Sequence, residues 1–87
     1  MNPELQSLRN QIDALDTEVL RLLERRFELT KKVGETKEQT GLPTEDLERE
    51  HQIIDDKISK SNLNPEFIEN LYQMVINESK RRQRNES

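Results

Sequence analysis

The sequence predicts an all-helical chain that completes its core against a second copy of itself. Three observations carry this. Apolar residues recur in alternating steps of three and four along the first third of the chain. Breakers fall at only two internal places. Hydrophobic residues make up 30% of the composition against 37% charged, a thin supply for an independent core in 87 residues. The periodicity argues against disorder, and no run alternates with the period of a strand. One domain, 1–87, is the expectation.

The first helix is the longest element. Leu5, Leu8, Ile12, Leu15, Val19, Leu22, Leu29 and Val33 form a heptad-like seam, the kind one helix packs against another. Pro3 suits an early helical position, and the pattern runs to about Glu38, interrupted only by Gly34. At 1.5 Å per residue these roughly 35 residues make a rod of about 52 Å. Such a rod cannot fold back on itself and needs partners along its length. Gly41 is a candidate stop and Pro43 forbids continuation.

Thr44 is the candidate N-cap of the second helix, with Glu45 and Asp46 favoured in its first turn by the helix dipole. That helix extends to about Ser59, with Leu47, Ile54 and Ile58 on its apolar side. Asn64, Pro65 and Glu66 then form a strong start signal of cap, proline and acid. The third helix presents Ile68, Leu71, Tyr72, Val75 and Ile76 on one face and ends near Gln83.

Several polar residues interrupt the apolar faces. Arg26 occupies a seam slot, inside the stretch LLERRFEL. With Phe27 filling part of the hydrophobic role, Arg26 can simply snorkel from a seam edge. Lys37, however, lies eleven residues on, three turns plus about 20°, so both cations project from one face. Thr30 and Val33 line the stretch between them. Two cations without interleaved carboxylates resemble a receptor for an anion.

Asp46, Arg49 and Glu50 cluster on the second helix at i, i+3 and i+4, either as a solvated charge cluster or as part of a site. Ser79 and Gln83 extend the apolar stripe of the third helix and need hydrogen-bond partners, from the protein or from a ligand. Arg9 sits seventeen residues before Arg26, about 25 Å along the same rod. If both arginines serve one small ligand, they come from different chains. Antiparallel pairing of two first helices brings Arg9 of one copy toward Arg26 of the other.

Other chemistries lack their parts. There is no cysteine, and His51 is the only histidine, without a second ligand at metal spacing. Ser79 has no histidine base on a matching face, and no glycine-rich phosphate loop occurs. The basic run Lys80 to Arg84 reads as a solvated helix end rather than a nucleic-acid contact, since the chain carries net charge −4 and few aromatics to stack on bases. No signal peptide and no membrane span are expected, and a soluble cytoplasmic protein is.

The chain resembles the all-helical chorismate mutases from about Leu8 to Gln83. The resemblance rests on LRNQIDALDTEVLRLLERRFEL, VGETK, LPTEDLERE and ESKRRQ, several separated motifs in one order. Carried over by position, the family's substrate-binding set falls on Arg9, Arg26, Lys37, Asp46, Arg49, Glu50, Ser79 and Gln83. The resemblance implies an intertwined homodimer whose two sites each take Arg9 from one chain and the rest from the other. It implies conversion of chorismate to prephenate, a unimolecular [3,3] rearrangement that needs no metal, cofactor or nucleophile.

In that reading Arg9 and Arg26 hold the two substrate carboxylates, with Ser79 assisting. Lys37 and Gln83 meet the negative charge developing on the ether oxygen. Glu50 accepts from the ring hydroxyl, and Asp46 and Arg49 shape that end. Two other readings stay open at this stage. One is an isochorismate–pyruvate lyase on the same fold, and the other a non-catalytic helical dimerisation or regulatory module.

Overall fold

The computed structural model describes residues 2–83, which form three helices and no strand. Helix α1 spans Pro3–Thr40, α2 spans Leu47–Lys60 and α3 spans Pro65–Gln83. Each boundary has a local cause. Asn2 caps α1, its side-chain oxygen accepting from the amides of Glu4 at 2.9 Å and Leu5 at 3.2 Å, with Pro3 opening the helix. Gly41 ends α1 in the left-handed conformation, at φ 75°, and the Leu42 amide donates back to the Lys37 carbonyl at 2.8 Å. Asn64 caps α3 by accepting from Glu66 and Phe67.

The cap of α2 is not the expected one. Asp46, rather than Thr44, holds the N-cap position, its carboxylate accepting from the Arg49 amide at 3.0 Å. Because α2 begins only at Leu47, Thr44 lies too far upstream to reach its first turn. An ionised oxygen also interacts better with the helix dipole than a hydroxyl does. Thr44 is thereby left in the connection, where its backbone serves another purpose.

Helix α3 is the centre of the molecule and packs against both α1 and α2, which make no backbone approach to each other. The cleft between α1 and α2 is therefore roofed by α3 alone. Ile68, Val75 and Ile76 are the buried apolar residues among those described, all from α3. On α1, the half-buried or buried positions are Leu23, Phe27, Thr30, Gly34 and Lys37, a stripe beside the seam, together with Arg26.

The seam itself is left uncovered within the chain. Its exposures run from 44% at Leu5 to 69% at Leu22, and every residue from Asn2 to Leu22 is exposed. The first twenty helical residues thus project as a free rod of about 30 Å. The radius of gyration is 16.7 Å, against about 12 Å for a compact chain of this length. The accessible surface is 7217 Å², against roughly 5,400 Å² for a compact monomer of 10.4 kDa. An exposed apolar seam on an otherwise highly charged chain is the surface a partner helix would cover. No described helix is long and apolar enough to cross a membrane.

Candidate active site

The C-terminal half of α1, the Thr44 connection, the start of α2 and the end of α3 enclose a cleft of about 340 Å³. Helix α1 contributes Arg26, Thr30, Val33 and Lys37, four positions separated by three or four residues and so stacked along one face. From α3 come Ser79, Lys80 and Gln83 beneath Ile76. Asp46, Arg49, Glu50 and Ile53 close the far side. Four cations face two carboxylates in this cleft, whereas the chain as a whole is acidic.

Arg26 is half-buried, and its Nη1 donates to Ser79 Oγ at 2.6 Å. Ser79, 4% exposed, donates its own hydroxyl proton to the Val75 carbonyl at 2.8 Å. The hydroxyl therefore accepts from arginine while donating along its own helix, which fixes the guanidinium plane. Burial lowers the Arg26 pKa below the ordinary guanidinium range; Tyr72 opposes this and the nearby Arg49 charge adds to it. The guanidinium remains charged at neutral pH, and only one of its five N–H groups is used by Ser79. The others are available for a two-pronged grip on a carboxylate.

Lys37 Nζ donates to the Thr44 carbonyl at 2.9 Å and to Gln83 Oε1 at 3.4 Å. Its third N–H has no protein acceptor among the described residues. Since the amide oxygen of Gln83 faces Lys37, the Gln83 NH₂ is the end left for a ligand. Both lysine partners are neutral, so its positive charge is left uncompensated. Neither Arg26 nor Lys37 has an ion-pair partner among the described residues.

Arg26, Lys37, Asp46, Arg49, Glu50, Ser79 and Gln83 are thus brought together by the fold. Arg9 is not. It lies on the exposed rod and lines no part of this cleft. Asp46 and Arg49 are exposed at the mouth, and Asp46 is committed to capping α2.

Three contributors have no counterpart in the expected set. The Thr44 carbonyl holds Lys37. Gly34 lets α3 cross α1, since a Cβ at position 34 would stand 2.7 Å from Gln83 Cα and 2.8 Å from Gln83 O. A glycine inside a helix costs about 1 kcal/mol relative to alanine, which is itself a signal that something approaches it closely. The third is Lys80. The basic run behaves as a solvated helix end at Arg81 and Arg82, which pair with Glu78, Arg82 also resting over the Phe27 ring. Lys80 departs from that pattern: its side chain is 20% exposed and bonds Glu50 inside the cleft. One turn before Gln83, it shares the face that α3 turns inward. Arg84 lies outside the described residues.

A family model described as chorismate mutase type II matches residues 8–84. The chain belongs to this family. Among curated proteins, the T-protein of Enterobacter agglomerans is 38% identical over 82 residues, 91% of this chain and 22% of that protein. The bifunctional chorismate mutase/prephenate dehydratase of Aquifex aeolicus (strain VF5) is 46% identical over 52 residues, 60% of this chain and 14% of that protein. The chain therefore spans less than a quarter of the length of these relatives. A chorismate mutase from Thermus thermophilus (form II) superposes with a TM-score of 0.87 at 26% identity, covering 97% of this chain and 99% of the other. As a member of the chorismate mutase family, the chain superposes on that structure over nearly its whole length, and the expectation of one long and two short helices holds except for the cap of α2.

Proposed function

We propose that this chain is a chorismate mutase, acting as a homodimer with two sites shared between the chains. The observation that carries the reading is the pair of cations, Arg26 and Lys37, lining one cleft and bonded among the described residues by neutral groups alone. A dicarboxylate completes such a cleft. The family membership and the match to the whole Thermus thermophilus fold support the same conclusion.

In this mechanism the protein acts by conformation and electrostatics. Arg26, steadied by Ser79, grips one substrate carboxylate, and Arg9 of the second copy grips the other. The substrate is thereby held in the compact conformer in which the bond-forming carbons meet, which removes orientational freedom before the reaction begins. As the C–O bond breaks, negative charge gathers on the ether oxygen. The remaining Lys37 N–H and the Gln83 amide N–H donate to it. A preorganised donor of this kind lowers a barrier by roughly 3–4 kcal/mol. Glu50 accepts from the ring hydroxyl, while Asp46 and Arg49 shape the mouth.

The uncovered seam from Leu5 to Val33 supports the dimer, because antiparallel packing of two α1 rods buries it and carries Arg9 across. A cytoplasmic location belongs to the same proposal. The test is incubation of purified protein with chorismate and, separately, with isochorismate. Prephenate from the first and no salicylate from the second is the expected result. Salicylate would point to a lyase, and no turnover of either substrate to a non-catalytic module.

A further inference from the structure

Lys80 has no role in the mechanism above, yet it makes the most sheltered ion pair among the described residues. Its Nζ lies 3.4 Å from Glu50 Oε1 and 3.3 Å from Oε2, so both carboxylate oxygens are engaged. The two side chains are 20% and 15% exposed. A second contact, to Glu45 at 3.4 Å, reaches a carboxylate that is 62% exposed and adds little.

The cleft holds two carboxylates beside cations meant for a dianion. Each is occupied elsewhere: Asp46 accepts from the Arg49 backbone amide as the α2 cap, and Glu50 is clasped by Lys80. A loose Glu50 would be a tethered anion in the same small space as Arg26, Lys37 and Arg49. Tethering gives such a group an effective concentration of about millimolar or more, comparable to the level of a metabolite. It would compete with any substrate carboxylate. We propose that Lys80 is a positioning residue that holds Glu50 off the cleft cations and so keeps the anion receptor open. The structural part of this proposal stands on the ion-pair geometry; only its kinetic consequence rests on the chorismate reading.

The experiment is a double-mutant comparison of Lys80→Met, which keeps the aliphatic stem, with Glu50→Gln and with both together. Two readouts are taken: steady-state kinetics on chorismate, and the side-chain Nε–H signals of Arg26 and Arg49 by NMR. In Lys80→Met the arginine signals shift as Glu50 falls onto them, and KM rises roughly tenfold with a smaller change in kcat. In the Glu50→Gln background, adding Lys80→Met changes neither. Lys80→Arg keeps the wild-type KM.

Unmoved arginine signals in Lys80→Met would overturn the proposal. So would an equal rise of KM in both backgrounds, which would mean that Lys80 touches the substrate itself. Loss of helicity in Lys80→Met by circular dichroism would overturn it too, making Lys80 a requirement of folding. If the signals behave as expected but the wild-type protein does not turn over chorismate, the clasp stands and the mutase reading falls.

Discussion

Gly34 of α1 lies against the backbone of Gln83 on α3, so close that an added Cβ would meet Gln83 Cα at 2.7 Å. The contact sets how near the end of α3 comes to Lys37, and with it where the Gln83 amide points. Alanine is the better helix former by about 1 kcal/mol, so on an open helix face Gly34→Ala would stabilise the protein. Here we expect destabilisation by about 1–3 kcal/mol from overpacking. The accompanying fall in kcat is expected to be roughly 10- to 100-fold as Gln83, the proposed ether-oxygen donor, is displaced. Urea unfolding and chorismate kinetics on the same variant check both.

Substitution of Lys37 is expected to separate catalysis from stability in the other direction. It is half-buried, and among the described residues its ammonium bonds only the Thr44 carbonyl and the Gln83 amide oxygen. Lys37→Ala should cost about 1 kcal/mol of stability and roughly 10²–10³ in kcat. A folded variant with wild-type kcat would remove Lys37 from the mechanism.

The pH dependence follows from the groups present. Gln83 has no proton to lose, and Arg26, though its pKa is lowered by burial, stays charged far above neutrality. Activity should therefore be flat from mildly acid to mildly alkaline pH. Gln83→Glu should instead become more active as pH falls, because only the protonated acid donates. Stability has an acid limb of its own. The Asp56 and Glu78 carboxylates are held below their ordinary values, first by bonds from Lys57 and from Arg82 respectively. A depressed folded-state pKa gives stability that is present above the unfolded value and is lost as pH falls through the folded one. The loss should begin near the ordinary values of 3.8 and 4.5, below the activity plateau. Rate–pH profiles and thermal melts across that range test the two separately.

The proposed sharing of sites between two chains makes a quantitative claim about mixing. Arg9→Ala and Arg26→Ala should each be nearly inactive as separate homodimers. Unfolded together and refolded, half of the dimers are mixed, and each mixed dimer has one intact site. Activity should return to about a quarter of wild type by the symmetry of the assembly. No recovery would place Arg9 outside the partner's site. A negative charge in the seam, such as Leu15→Asp, should abolish both the dimer and the activity, as measured by analytical ultracentrifugation and turnover.

Much of this molecule is legible in its local sequence. Helix limits fall within two residues of those that Pro3, Gly41 and Asn64 announce, because caps and breakers act over three or four residues of backbone. The placing of Arg26 with Lys37, and of Ser79 with Gln83, follows from helical pitch alone. The wrong cap for α2 arises because Thr44 and Asp46 are both good caps two residues apart. The Asp46 carboxylate, better suited to the helix dipole, takes the cap, while the Thr44 carbonyl accepts from Lys37.

The rest depended on how the helices cross. Pitch ranks faces but not which face meets which neighbour. The apolar seam has the pattern of a core, yet α3 packs on the adjacent stripe of Leu23, Phe27 and Gly34 and leaves the seam outside the chain. That choice puts Gly34 under Gln83, the Thr44 carbonyl on Lys37 and Lys80 on Glu50. These contacts join residues 7 to 49 positions apart, and no periodicity within one helix encodes them. Local backbone chemistry decided the helices and the residues on each face; the crossing of α3 over α1 decided which of those residues share a cleft.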